Sequence, residues 1–192
     1  MLLTTGYLTV AEDIPTSYDR YLLRIPNEEI KQVYGMEILN TIAEGMDRDT
    51  FDSLFDLLFT GQSEDFAYQL QQILLRFAST YDTADKECFY HGFMLGMAAL
   101  FLGKEYVVES NRESGYGRFD LAIFPKDTSK AGVIMEFKAA EIEERLKRKA
   151  EEALQQIEER QYDTEFSKRG ITTVWKYGIA FCGKKVCVEA KI

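Results

Sequence analysis

Glu136 and Lys138 sit at the end of GVIMEFK, a stretch that opens at Gly132 with four apolar or small residues. Such a run predicts a buried strand. Side chains on a strand alternate faces, so Glu136 and Lys138 point the same way, roughly 7 Å apart along the chain. The stretch before it, GYGRFDLAIFP, also reads as a strand. There Asp120, Ala122 and Phe124 share one face, and Phe119, Leu121 and Ile123 share the other. A polar loop, Lys126 to Lys130, links the two strands and predicts antiparallel pairing. With matching registers, Asp120 lies beside Glu136 and Lys138.

Two clustered carboxylates repel each other, so at least one should have a raised pKa. An unpaired buried charge is costly as well. A divalent, oxygen-seeking cation resolves both problems, and carboxylates without His or Cys favour Mg²⁺ or Mn²⁺ over zinc. Such a cation lowers the pKa of a bound water and polarises a phosphoryl oxygen, while a neighbouring lysine stabilises developing charge. That combination meets the requirement for phosphodiester hydrolysis. The plainer alternative is an ordinary ion-paired triad at a sheet edge. Arg118 is placed either to bind a phosphate or to pair with Glu109 or Glu113, and the sequence leaves both open.

The surrounding elements must hold these residues. Gly6–Val10 and Tyr21–Ile25 are β-like, with Pro15 between them. Asn27 can cap a helix from Glu28, and three- and four-residue apolar spacing continues to about Tyr81, which predicts three short helices. From Cys88 to Gly103 the chain is apolar almost all round, as for a helix buried against a sheet. Strands follow at Tyr106–Glu109, Arg118–Phe124 and Val133–Lys138, then a charged helix from about Glu141 to Tyr162. Thr173–Cys182 and Lys185–Lys191 form a hairpin turning at Gly183-Lys184. This order predicts an α/β fold with a mixed sheet flanked by helices. Trp175, Tyr177 and Ile179 are expected in its core, and His91 as a hydrogen-bonded core histidine.

Composition narrows the function classes. The chain has 192 residues, 46% of them hydrophobic, enough for one domain with a full core or a domain with an appendage. No apolar run reaches the length of a membrane span, and the first residues lack signal-peptide character. Cys88, Cys182 and Cys187 form no CxxC pattern, so reduced thiols and a cytoplasmic protein are expected. A single histidine leaves little for a zinc site, and there is no P-loop. The net charge of −9 disfavours holding nucleic acid by phosphate neutralisation alone.

Asp120, followed by Glu136-Phe137-Lys138, resembles the PD-(D/E)XK nuclease superfamily, and the helix–three strands–helix–strand order is similar to its common core. Tyr90-His91-Gly92, SNRESGYGRFD, EFK and Ala153-Leu154-Gln155-Gln156-Ile157 look like the PD-(D/E)XK domain that follows an AAA-type ATPase-like module in many bacterial proteins. TGYLTV and IPNEEI look like the junction of that arrangement. The resemblance covers essentially the whole chain, and Phe119 stands where the superfamily's proline is often found. It implies a restriction-endonuclease-like core over residues 82–192, with a β-hairpin and helical extension over 1–81 joining the ATPase-like module. It further implies Asp120 and Glu136 as metal ligands, Lys138 as the catalytic lysine, Glu87 as an accessory metal ligand and Gln156 as a polar site residue. The expected activity is Mg²⁺- or Mn²⁺-dependent cleavage of DNA. The alternative is a catalytically silent interaction module serving the ATPase-like domain, which the acidic charge favours.

Overall fold

A computed structural model describes residues 9–10, 23–24, 48–77, 86–101 and 105–192; the side chains of 10, 23–24, 48–49, 77, 86–88 and 99–101 lie outside that description. The helix expected from Glu28, with its cap Asn27, lies outside the described residues. Contacts divide the chain into two compact units, Met1–Met46 and Asp47–Ile192. In the first, β1 (Thr9–Val10) pairs antiparallel with β2 (Leu23–Arg24), within the two β-like runs.

The second unit opens with α1 (Arg48–Thr60), α2 (Ser63–Phe77) and α3 (Lys86–Phe101). Strands β3 (Tyr106–Ser114), β4 (Gly117–Pro125) and β5 (Gly132–Ala139) follow. A 3₁₀ turn at Glu143–Arg145 leads into α4 (Leu146–Glu159), and α5 (Thr164–Lys168) is a short helix that the periodicity did not indicate. The chain ends in β6 (Val174–Cys182) and β7 (Lys185–Lys191). The sheet order is β3-β4-β5-β6-β7. Only β5–β6 is parallel; the other three pairs are antiparallel. Parallel neighbours need a long crossover, and the charged segment with α4 supplies it. Both strands of that parallel pair are largely buried, as strands covered on two faces must be.

One face of the sheet receives α1 and α3. Tyr90 stacks on Phe181 with ring centroids 4.2 Å apart, and the Tyr177 hydroxyl donates to the Leu58 carbonyl at 2.6 Å. Tyr177 and Ile179 are fully buried, as expected of core residues. The other face receives α4, whose buried stripe is Leu146, Ala150, Ala153 and Ile157. At Gly178 the approach is close: a Cβ there would lie 2.1 Å from the Ala150 carbonyl oxygen. Only glycine lets α4 settle so near β6. Gly178 is also the register partner of Glu136, so this approach occurs beside the candidate site.

Strict alternation along β4 does not hold. Phe119, expected opposite Ala122 and Phe124, shares one buried cluster with both, together with Ile134, Ile157 and Tyr162. The β3–β4 ladder pairs Ser110 with Leu121 and Arg112 with Phe119 but skips Asn111 and Asp120. Asn111 has φ of 52°, in the left-handed region that Asn tolerates better than most residues. The irregularity re-aims β4 at Asp120.

Candidate active site

Asp120 and Glu136 approach each other by a simple register argument. The β4–β5 ladder pairs Ile123 with Val133, Ala122 with Ile134 and Leu121 with Met135. Continued by one step it would pair Asp120 with Glu136. The ladder stops there, and the Phe137 backbone N–H donates instead to Asp120 Oδ2 at 2.8 Å. A side-chain carboxylate thus takes the place of a ladder carbonyl, which is consistent with the break at Asn111.

Asp120 is also held from behind. His91 Nε2, on α3, lies 3.1 Å from the Asp120 carbonyl oxygen, 2.9 Å from Ser110 Oγ and 3.2 Å from Asn111 Nδ2. Its ring packs edge-on to Phe137, with centroids 6.2 Å apart. Carried as the Nε2–H tautomer, the imidazole donates to the strand exactly where the ladder is broken. His91 is therefore a hydrogen-bonded histidine, as its apolar helix context predicts, and it braces the backbone of Asp120. Sequence reasoning did not single out Asn111 or Ser110; an Asn inside a polar strand end was the available signal.

Glu136 is the most constrained group in the site. It is 3% exposed on a strand buried over most of its length. Its Oε1 accepts from Lys138 Nζ at 3.2 Å and from Gln156 Nε2 on α4 by a short hydrogen bond. Its Oε2 is buried without a hydrogen-bond partner. Burial pushes its carboxyl up to about 7, and the nearby Asp120 charge adds to the rise; Lys138 opposes it. The expected raised carboxylate is thus Glu136. Lys138 remains 26% exposed, so its ammonium reaches the rim while its partner is enclosed.

Gln156 Nε2 also lies 3.3 Å from the Tyr162 hydroxyl, which anchors the amide from the far side. Asp120, Glu136, Lys138 and Gln156 are therefore brought together. Arg118 is exposed on β4, in register with Glu113, and forms no ion pair among the described residues. Glu109 is engaged elsewhere, by Arg112 and Arg169. Glu87 falls on α3, but its side chain lies outside the described residues.

The donor set fits a hard cation. No cluster of three or more His, Cys, Asp or Glu side chains forms among the described residues. Mg²⁺, however, is usually bound through one or two carboxylates and keeps several waters. A buried carboxylate oxygen with no partner, next to a second carboxylate, is the kind of acceptor such an ion completes.

A family model described as the PD-(D/E)XK nuclease superfamily matches residues 85–191. The match includes α3 from its start and all five strands of the sheet. None of the curated proteins searched matches the chain.

Proposed function

The chain belongs to the PD-(D/E)XK nuclease superfamily, and from that premise we propose that it is a divalent-metal-dependent nuclease that hydrolyses phosphodiester bonds in DNA. One observation carries the reading: Glu136 is enclosed, leaves Oε2 without a partner and holds its carboxyl up to about 7 beside Asp120 and Lys138. A folded protein retains an arrangement this unfavourable where something else completes it.

The roles follow from the contacts. Asp120 and Glu136 would hold the cation, with Glu87 as the third acid that the resemblance assigns. When bound, Mg²⁺ or Mn²⁺ supplies Lewis acidity toward a water and a phosphoryl oxygen. Gln156 and Lys138 both engage Glu136 Oε1, which fixes the carboxylate plane and leaves Oε2 available. Phe137 N–H does the same for one oxygen of Asp120. Lys138, at the rim, can turn its remaining N–H donors toward the phosphate, where negative charge builds in the transition state. Arg118 would hold a substrate phosphate.

A second reading has its own support. The net charge of −9 opposes nucleic-acid binding and favours a silent module serving an ATPase-like domain, supplied by the same or another chain. Cleavage assays separate the two. Wild-type protein should cut DNA with Mg²⁺ or Mn²⁺ and not with chelator. Lys138→Ala should lower the rate by about a hundredfold or more. Equal rates for the two proteins, or no cleavage under any metal condition, would overturn the nuclease reading.

A further inference from the structure

Helix α4 carries its charge against its own dipole. Its first turn holds Lys147, Arg148 and Lys149 and no acid, and its last turn holds Glu158 and Glu159 and no base. Cations near a helix N-terminus and acids near its C-terminus both oppose the macrodipole. Pairing within the helix does little to offset this. Arg148 Nε lies 3.2 Å from Glu152 Oε1, and Lys149 Nζ lies 2.6 Å from Glu152 Oε2. In both pairs the base precedes the acid, which is the less stabilising order, and exposed pairs stabilise little in any order. Helix stability therefore does not account for these cations.

Two of them lie on the side of the candidate site. Lys149, Glu152 and Gln156 follow one another at three- and four-residue spacing, so they share the flank of α4 from which Gln156 reaches Glu136. Arg148 joins that flank through Glu152. Lys149 above all, then Arg148 and Lys138 of β5, hold the Glu152 carboxyl below its usual range. Three cations thus act on one carboxylate whose side chain is 42% exposed. Lys138 also pairs with Glu136, whereas Arg148 and Lys149 make no other ion pair among the described residues. Of the acids just before the helix, Glu143 is engaged by Lys185, and Glu141 approaches Arg145 at 3.9 Å. Lys147 and Glu151 belong to the opposite flank, where their charges act on Cys187 of β7.

A carboxylate that bridges two cations beside a site for phosphodiester hydrolysis occupies the place a phosphate would take. A backbone phosphate carries the same charge, presents two oxygens in a similar fork, and releases condensed counterions when it is bound. We propose that Arg148 and Lys149 hold a phosphate of the nucleic-acid substrate close to the one that is cut, and that Glu152 is a built-in competitor which that phosphate displaces. The substrate then approaches along a locally cationic flank of an otherwise acidic protein. This rests on the nuclease reading for which phosphate is cut; the phosphate contact itself needs only a nucleic acid.

The test compares variants that change net charge equally on opposite flanks of α4. Binding of a labelled DNA duplex, and of one of its strands, is read by fluorescence anisotropy in chelator across a range of KCl concentrations. Arg148→Gln and Lys149→Gln should each weaken binding about fivefold near about 0.1 M salt and lower the salt slope by about one. Lys147→Gln should change neither by much. Glu152→Gln should tighten binding by a similar factor, and Glu151→Gln should not. A wild type that binds neither DNA overturns the inference. So do equal losses in Lys147→Gln and Lys149→Gln, or a Glu152→Gln protein that binds no tighter than Glu151→Gln. Adding Mg²⁺ to the same DNA separates the two claims. Binding that follows this pattern without cleavage sinks the nuclease reading alone. Metal-dependent cleavage with the two flanks equivalent in binding sinks this inference alone.

Discussion

Two carboxylate clusters flank β4, and they are built to opposite ends. In one, Glu109 and Glu165 meet Arg169. Its Nη2 lies 2.9 and 3.1 Å from the two Glu109 oxygens and 3.2 Å from Glu165 Oε1. Arg112 adds a contact to Glu109 at 2.9 Å, and Lys168 one to Glu165 at 3.4 Å. The guanidinium also lies 3.8 Å from the centre of the Phe124 ring. Two carboxylates thus face three cations. In the other cluster, one ammonium and one side-chain amide both reach Glu136 Oε1, the Phe137 N–H reaches Asp120 Oδ2, and Glu136 Oε2 is left over.

The titration directions record the difference. Burial acts to raise the Glu165 carboxyl, but Arg169 and Lys168 outweigh it and hold it below the usual range. Burial raises Glu136 as well, and the like charge of Asp120 adds to it, so the carboxyl reaches about 7. Burial is deeper at Glu136, 3% exposed against 19% for Glu165, and there a like charge adds to it where at Glu165 two cations outweigh it. A cluster that closes its own charge is architecture. A cluster that leaves an acceptor open is what the proposed cation would complete.

Metal addition offers the largest test of that contrast. Melting curves with Mn²⁺ should show wild type gaining about 2.7 kcal/mol at a hundred times the dissociation constant, since the ion binds only the folded arrangement. That corresponds to a rise of roughly 5–10 °C for a chain of this size. Glu136→Gln should gain little, and Arg169→Ala should gain as much as wild type. A wild type indifferent to metal, or a response lost in Arg169→Ala, would break the comparison.

The pH dependence in chelator is the next largest effect. Glu136 has a folded pKa raised above its unfolded value, so the folded state binds the extra proton between them. Its contribution therefore favours folding at low pH and is lost as pH rises from about 4.5 to about 7. The amplitude should be of order 2 kcal/mol, less than the full shift allows because the site relaxes. Glu136→Gln keeps an acceptor for Lys138 and Gln156 and should flatten this slope. An equally steep slope in Glu136→Gln, read from urea unfolding across that range, would place the titrating group elsewhere.

The smallest effect belongs to the closed cluster. Arg169→Ala should cost about 1 kcal/mol at neutral pH, because two partly exposed carboxylates lose a shared partner. The depressed Glu165 carboxyl stabilises the fold above its unfolded pKa, and that share fades as pH falls through the folded value. Arg169→Ala should therefore remove stability at neutral pH and little at acid pH, with the Glu136 slope intact. A loss equal at both ends would mean that Arg169 matters only through its packing on Phe124.

What could be read from residues alone was the local order. Apolar spacing located α1 to α4 and all five strands of the sheet, because a helix period and a strand period are properties of near neighbours in sequence. Two carboxylates and a lysine at the ends of adjacent strands pointed to one spot for the same reason. Tertiary structure decided how that spot is finished. The alternation of β4 fails beside the left-handed Asn111, and Phe119 joins the cluster with Ala122. Gly178 let α4 close on the sheet beside Glu136, where Gln156 reaches Glu136 across 20 residues of sequence. Arg169 was drawn to Glu109, 60 residues away, and Arg118 was left exposed. Burial and charge act through space, so whether a carboxylate is satisfied depends on which distant donors the packed fold brings to each of its oxygens.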